Sequence, residues 1–498
     1  MNAPSKPRPV PESVSRFLAG KHRLYIGGRW VEAQSGETLD IYNPSTGKRI
    51  ATAAMAGPAD VDAAVKAARH AFDSGPWGKM SPIERRRLLL ALADAVEAEA
   101  DDFAMIDSLN MGIPMDTAPY IIGALSVESL RYNAGWAGKI NGETITVSGP
   151  EHHAYTLKEP IGVIGAIVPW NSPLLAAMGK LAPALAAGCT VVLKPADFTP
   201  LSVLKLAALI DRLGFPEGVI NIVPGLGDPA GQALVDHPLV DKIAFTGSTA
   251  VGQSIVQSAA TTMKRLSLEL GGKSPVFIFP DADLDKAIAG AANSIFRNAG
   301  QICAAGSRLF VHKSIYDRVM AGVTAHAQGI TVGDALTPGT QMGPLASQKH
   351  FERVQSYIET GRAEGAEIVT GGGRIGQEGY FVQPTMIAQT NRDMRVVREE
   401  IFGPVVAAVP FDDDDLDRIA ALGNDTDYGL AAYVWTGNIS TGHKMAKKLH
   451  AGLIMMNGGA GLDRAVPFGG YGLSGWGREY GREGIENYFE TKSVTIAL

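Results

Sequence analysis

The chain has 498 residues, 46% of them hydrophobic and 19% charged, which is the make-up of a globular protein long enough for two or more cores. A net charge of −6 without any basic stripe argues against a nucleic-acid partner, and no apolar run is long enough to make a membrane-spanning helix. Only two cysteines, Cys189 and Cys303, are present, too few for a disulfide framework, so a reducing, cytoplasmic setting is expected.

Residues 1–20 carry Pro, Ser and Lys without the apolar segment of a signal peptide and read as a loose, disordered tail. Residues 24–31 predict a hairpin turning at Gly27-Gly28. Residues 60–72 and 82–103 have apolar side chains at helical spacing and predict two amphipathic helices. From Ile161 the rhythm changes. Short apolar runs at 161–168, 190–193, 219–223, 242–245 and 266–270 alternate with helical stretches at 174–187, 202–213, 230–236 and 249–260. Strands apolar on both faces that alternate with helices predict a parallel α/β sheet, whose ligands bind beyond the carboxyl ends of the strands. Pro169-Trp170-Asn171, Lys194-Pro195, Pro224-Gly225 and Thr246-Gly247-Ser248 fall on that edge.

A second α/β run begins near Ser274. It has a strand at 276–279 and a helix from Asp283 that places Leu284, Ile288, Ala291, Ala292, Ile295 and Phe296 on one stripe, with Gly300 as its stop. Further strands are predicted at 309–312, 405–410 and 430–435, and residues 488–498 alternate like a final strand. The run Asp412 to Asp415 reads as a solvated turn.

Two residues stand out against this background. Cys189 enters an apolar strand and reads as a small buried hydrophobe, but Cys303, in Gly300-Gln301-Ile302-Cys303, falls in a loop past a helix end. Backbone N–H groups in such a loop would face a ligand or lower a thiol pKa. Glu269 is a carboxylate inside an apolar strand end: on the solvent face it is ordinary, whereas buried it has a raised pKa that suits a general base. Gly225 to Gly231 is one residue too long for a dinucleotide fingerprint. Gly247 to Gly252 is better placed, because it follows a strand and opens a helix whose N-terminus can take a pyrophosphate. Lys194 and Asp197 also follow a strand, at the position from which ribose hydroxyls or phosphate are reached.

Together these segments resemble the aldehyde dehydrogenase superfamily from about Leu24 to the C-terminus. The markers are Pro169-Trp170-Asn171, Lys194-Pro195, Phe245-Thr246-Gly247-Ser248, Glu269-Leu270-Gly271-Gly272-Lys273, Gly300-Gln301-Ile302-Cys303, Glu400-Ile401-Phe402-Gly403-Pro404 and Pro467-Phe468-Gly469-Gly470. The resemblance implies an α/β protein with a Rossmann-like NAD(P)-binding domain (21–138 and 159–270), an α/β catalytic domain (271–483) and a small β oligomerisation arm (139–158 and 484–498). The arm would pair subunits into homodimers or homotetramers. It also implies roles: Cys303 attacks the aldehyde carbon, the Asn171 amide and the Cys303 N–H hold the oxyanion, and Glu269 activates the water that cleaves the thioester. Lys194 and Glu400 would hold ribose hydroxyls, Phe402 would pack near the nicotinamide ribose, and Gly247 and Ser248 would approach the pyrophosphate. Ile167, Pro169, Trp170, Phe245 and Leu270, with Asp197, Gly227, Gly231 and Val251, would complete the cofactor contacts. NAD is the implied cofactor. Asp197 stands where NAD-preferring members commonly carry Glu, so NADP is also admitted.

The implied substrate tunnel holds Ala176, Gly179, Ile302, Leu462 and Phe468. Small residues at Ala176 and Gly179, and Leu462 where an aromatic is frequent, lead to the expectation of a roomy tunnel for a bulky aromatic or long-chain aldehyde. Glu269 favours hydrolysis to the free acid over acyl transfer to CoA. No metal is expected. Two rivals remain at this stage: a cofactor-independent thiol esterase or hydrolase, which requires a histidine beside Cys303, and a catalytically silent binding protein, which the intact Cys303, Glu269 and Asn171 disfavour.

Overall fold

The alternating apolar strands and helices assemble into two separate α/β sheets in a computed structural model that describes residues 6–458 and 463–498. The first sheet has five parallel strands in the spatial order Ile220–Ile222, Thr190–Lys194, Val163–Ile167, Lys242–Thr246, Arg265–Glu269. The chain starts in the middle, at Val163–Ile167, builds outward on one side and then on the other. The order therefore reverses between Val163–Ile167 and Lys242–Thr246, and a ligand crevice opens at such a reversal. Every residue of Val163–Ile167 and Thr190–Lys194 is buried, as expected for strands covered by helices on both faces. Cys189 is fully buried in the core beneath, where the Trp77 indole donates to the Gly188 and Cys189 carbonyls at 3.0 Å each.

The Leu24–Ile26 and Arg29–Val31 hairpin closes one edge of this sheet through the antiparallel pairing of Tyr25 with Ile222. The other edge is closed by Gly475–Trp476, antiparallel to Arg265–Glu269. This corrects the division read from the sequence, which placed all of 271–483 in the catalytic unit. The second sheet has seven strands in the order Glu367–Thr370, Thr385–Ala388, Val405–Phe411, Arg308–His312, Pro275–Ile278, Ala431–Trp435 and Leu453–Met456, all parallel except the first. A separate three-stranded sheet joins Phe489–Ala497 to His152–Pro160 in unbroken register from Phe489↔Pro160 to Ala497↔His152, with Thr144–Ile145 beyond.

Two further expectations are corrected. Residues Glu12–Leu18 form a helix that buries Val14, so this part of the expected tail is ordered by packing. The single helix expected over 82–103 is two, Pro82–Ala98 and Ala100–Met111, because Glu99 leaves helical geometry at φ −112°, ψ 21°. The first begins with a capping box in which Ser81 and Glu84 exchange side-chain and backbone hydrogen bonds.

Candidate active site

The helix Leu284–Phe296 carries the thiol loop. It ends at Phe296, four residues before the Gly300 stop expected from sequence. Asn298, Ala299 and Gly300 then take left-handed backbone in succession, with φ of 51°, 54° and 70°. Two consecutive non-glycine residues in that region are strained, and the surroundings hold them there. Gln301 N donates to Asn298 O at 3.1 Å, Gln301 Nε2 donates to the same oxygen at 2.9 Å, and Gln301 Oε1 accepts from Ala346 N at 2.9 Å. Gly300 is required for a second reason: a β-carbon there would overlap the Gly403 carbonyl. Gly300→Ala is expected to cost about 3 kcal/mol from backbone strain and overlap together. Differential scanning should show a fall in melting temperature on the order of 5 °C; an unchanged transition would mean that the loop relaxes freely.

Asn171 lies just past the Val163–Ile167 strand and before the helix Pro173–Ala187. Its Nδ2 donates to Gln301 O at 2.9 Å, and its own carbonyl accepts from Asn298 Nδ2 at 3.3 Å. The asparagine is thereby tied to the thiol loop at both ends. An amide nitrogen carries two N–H groups, and Gln301 O takes one of those of Asn171.

Glu269 ends the last parallel strand and is 3% exposed, so the solvent-face reading is excluded. Neither carboxylate oxygen has a hydrogen-bond partner among the described residues, and a β-carbon at Gly469 would sit 2.8 Å from Oε1. Burial first, then the charge of Glu479, pushes its pKa well above the ordinary 4.5, with Lys180 and Arg478 pulling the other way. Glu479 itself is held in an ion pair with the buried Lys180. Lys180, Glu479 and Arg478 were not singled out from the sequence. Lys180 carried a usable signal, a charge inside the apolar helix 173–187, of the same kind that exposed Glu269.

The thiol of Cys303 is partly exposed, yet its pKa is pushed up to about 12 by burial, Glu400 and Glu269, against one favourable backbone hydrogen bond at Ala304. This corrects the expectation that the loop lowers it: one backbone N–H favours the thiolate, but burial and the charges of Glu400, Glu269 and Glu479 outweigh it. The charged groups that act on Cys303 among the described residues are Glu400, Glu269 and Glu479, with no histidine in the set that a thiol hydrolase requires.

The proposed cofactor residues gather on the carboxyl edge of the first sheet. Ser248 caps the helix Thr249–Ala259 by accepting from Val251 N at 3.4 Å, leaving a helix N-terminus beside the strand reversal. Gly247 lies so close to the Phe245 ring that a β-carbon would overlap it, and Leu270 packs in the same way against Gly252. Val251 is half exposed on that helix. Ile167 is buried at the strand end, with Pro169 and Trp170 partly exposed above it. Gly227 and Gly231 bound a turn that opens the helix Gln232–Asp236, with open space around Gly227 and the Lys194 side chain 3.2 Å from where a Gly231 β-carbon would be. Lys194 is buried and donates to Gly225 O at 2.7 Å and Pro195 O at 3.0 Å; burial brings its pKa down to about 8. Asp197 lies partly exposed three residues on. Across the crevice, Glu400 accepts from Gly272 N at 3.0 Å, and burial raises its pKa to about 7. Phe402, at φ 62°, stands edge-on to Trp170 with ring centres 5.3 Å apart, and its carbonyl bonds His350 Nε2 at 2.7 Å. A helix N-terminus, a buried lysine and a buried carboxylate on one crevice fit a dinucleotide with its phosphates and ribose hydroxyls.

The sequence pattern of the aldehyde dehydrogenase family matches residues 30–494. The chain belongs to the aldehyde dehydrogenase family. The putative aldehyde dehydrogenase DhaS of Bacillus subtilis (strain 168) is 49% identical over 489 residues, 98% of each chain. The phenylacetaldehyde dehydrogenase of Pseudomonas fluorescens is 44% identical over 483 residues, 96% of each chain. The structure of the NAD+ complex of aldehyde dehydrogenase from Bacillus cereus superposes with a TM-score of 0.97 at 46% identity, covering 99% of this chain and 100% of that one.

In this aldehyde dehydrogenase, Ala176, Gly179, Ile302, Leu462 and Phe468 are the residues that the sequence led one to expect along the substrate tunnel. Ala176 is partly exposed, Ile302 flanks the thiol, and Phe468 packs in the same apolar cluster as Ile302 and Cys303. Leu462 lies outside the described residues. At Gly179 a β-carbon would meet the Tyr480 hydroxyl at 3.4 Å and Cε1 at 3.5 Å, ordinary contact distances, so the Tyr480 ring borders the space beside this glycine. No helix among the described residues is long and apolar enough to cross a membrane.

Proposed function

We propose that this chain oxidises an aldehyde to the free carboxylic acid with NAD+, using Cys303 as nucleophile and Glu269 as base, and that its substrate is a bulky aromatic or long-chain aldehyde. The observation that carries the mechanism is Glu269, a buried carboxylate with no hydrogen-bond partner among the described residues and an electrostatic hold on Cys303. A carboxyl group in that state accepts a proton readily once water is brought to it.

Cys303 gives its proton to solvent water as Sγ bonds to the aldehyde carbon, and the carbonyl oxygen becomes an oxyanion that the Asn171 amide and the Cys303 N–H would hold. NAD+ bound in the crevice supplies the acceptor for the hydride that leaves that carbon. The carbon, now a thioester on Cys303, is attacked by water; Glu269 takes one water proton as the new C–O bond forms, the C–S bond breaks to release the acid and a thiolate, and the thiolate takes up the proton held by Glu269, which restores both groups. Lys194 and Glu400 would hold the cofactor's ribose hydroxyls, and the N-terminus capped by Ser248 would hold its phosphates.

The aromatic reading is supported by the partly exposed Ala176, by the aromatic lining at Phe468 and by the Pseudomonas fluorescens relative, whose name gives phenylacetaldehyde as its substrate. NAD is favoured over NADP by the likeness to the Bacillus cereus complex, and Asp197 leaves a 2′-phosphate tolerated. A panel of acetaldehyde, benzaldehyde and dodecanal, run with NAD+ and NADP+ side by side, should give kcat/KM highest for one of the two larger aldehydes and higher with NAD+. A maximum at acetaldehyde would overturn the substrate reading.

The sheet of Phe489–Ala497 and His152–Pro160 is proposed as the arm that joins subunits into dimers or tetramers. Its support is the apolar surface it exposes at Ile145, Leu157, Ile496 and Leu498. A cytoplasmic setting is proposed from the two free cysteines.

A further inference from the structure

Tyr480 combines three features that the catalytic steps leave unexplained. Its backbone stands at φ 58°, ψ −179°, a region almost confined to glycine. It is held there on every side. Phe468 and Glu479 exchange backbone hydrogen bonds of 2.7 Å, Gly484 N donates to Tyr480 O at 2.8 Å, and Glu479 is pinned by Lys180. The Arg464 guanidinium lies 3.8 Å over the ring, closing one face. The hydroxyl edge meets Gly179, with Oη 3.4 Å and Cε1 3.5 Å from where a β-carbon would stand. The ring also belongs to the apolar cluster of Ala304, Leu430, Ala431 and Phe468 against which Ile302 and Cys303 pack. A strained residue that surrounding contacts over-determine, in the apolar cluster against which Cys303 packs, is placed for a purpose that packing alone does not require.

We infer that Tyr480 is the residue that sets aldehyde specificity: its ring is the wall that Gly179 lacks, a fixed flat surface beside the thiol that favours planar aryl aldehydes over aldehydes branched next to the carbonyl. This rests on the aldehyde oxidation and the aromatic substrate class proposed above, and it names the residue that selects for them. Arg464 over one face and Gly179 at the hydroxyl edge restrain the ring, so a carbon branched next to the carbonyl meets its edge where a planar ring passes. The cation over Tyr480 also opposes positively charged aldehydes, which need an open aromatic face.

The test is the ratio of kcat/KM for benzaldehyde to that for 2,2-dimethylpropanal, with NAD+. Tyr480→Leu is expected to lower this ratio about tenfold, the scale on which a reshaped apolar pocket discriminates. Tyr480→Phe, which keeps the ring, is expected to keep the parent's ratio. If the Leu variant does not accumulate as folded, cofactor-binding protein, Tyr480→Met, of similar length without a flat face, carries the same expectation. A high ratio in the parent that survives loss of the ring, with both aldehydes slowed equally, overturns the role of Tyr480 alone. A ratio near one in the parent removes the aromatic substrate class and this inference with it.

Discussion

Replacing Cys303 with alanine should lower aldehyde-dependent NADH formation on the order of 10⁴-fold or more, since loss of a covalent nucleophile removes the whole acylation route. The variant should still fold. Alanine has the shape of cysteine without the sulfur, the site is only partly buried, and no hydrogen bond from Sγ holds another element in place. NADH release is read by absorbance and cofactor binding by fluorescence titration of the same preparation. Retained binding with lost turnover assigns the chemistry to the thiol; unchanged turnover would show that another group is the nucleophile. Alkylation gives a second reading. With the thiol pKa pushed up to about 12 by burial, Glu400 and Glu269, the free enzyme should react with iodoacetamide slowly at neutral pH and faster at each step of pH above it.

Glu269→Gln should separate the two halves of the reaction. Acylation and hydride transfer do not need the carboxylate in this scheme, so a burst of NADH near one equivalent per site should survive. The steady rate that follows should fall by roughly 10²- to 10⁴-fold, the usual contribution of a positioned base. The parent's steady rate should rise with pH as Glu269 gives up its proton, and that limb should vanish in the variant. Stability should move in the opposite sense. A carboxyl group whose folded pKa is raised binds its proton more tightly folded than unfolded, so its contribution to stability falls as pH rises above the ordinary 4.5. The glutamine variant should therefore match the parent in acid and be the more stable of the two at neutral pH. Disappearance of the burst would place Glu269 in the first half of the reaction. A variant less stable than the parent at neutral pH would mean that the carboxylate has partners.

The first sheet was legible because its strands are buried on both faces, which leaves unbroken apolar runs at 163–167 and 190–194. The hairpin of Thr38–Asn43 and Lys48–Ala54 was not. Its burial alternates along Thr38–Asn43, and Thr38, Asp40, Lys48, Arg49 and Thr52 are polar residues facing water, so no unbroken apolar run marks it. Glu269 could be picked out because a lone carboxylate breaks an apolar strand. Its electrostatic setting could not, because Lys180 and Glu479 are 299 residues apart in sequence and meet only in the fold. The thiol's raised pKa was hidden for the same reason: the loop's own N–H groups are local, whereas Glu400 arrives from the second sheet. What borders Gly179 could not be read locally either, because the Tyr480 ring beside it comes from far along the chain.

Ser474 is fully buried where the two sheets meet, one residue before the strand that returns to the first sheet. Its carbonyl accepts from Leu270 N at 3.1 Å, its hydroxyl donates to Gly271 O at 2.7 Å, and the same oxygen accepts from Gly429 N at 3.0 Å. The chain thus crosses from one sheet to the other at Leu270–Ser274 and is stitched back at the same point. A hinge at that crossing would have to tear three buried hydrogen bonds before it turned. On the proposed reaction, cofactor exchange and acid release are expected to proceed without a hinge at this crossing, and the slowest-exchanging amides outside the sheet centres should include Leu270 and Gly429.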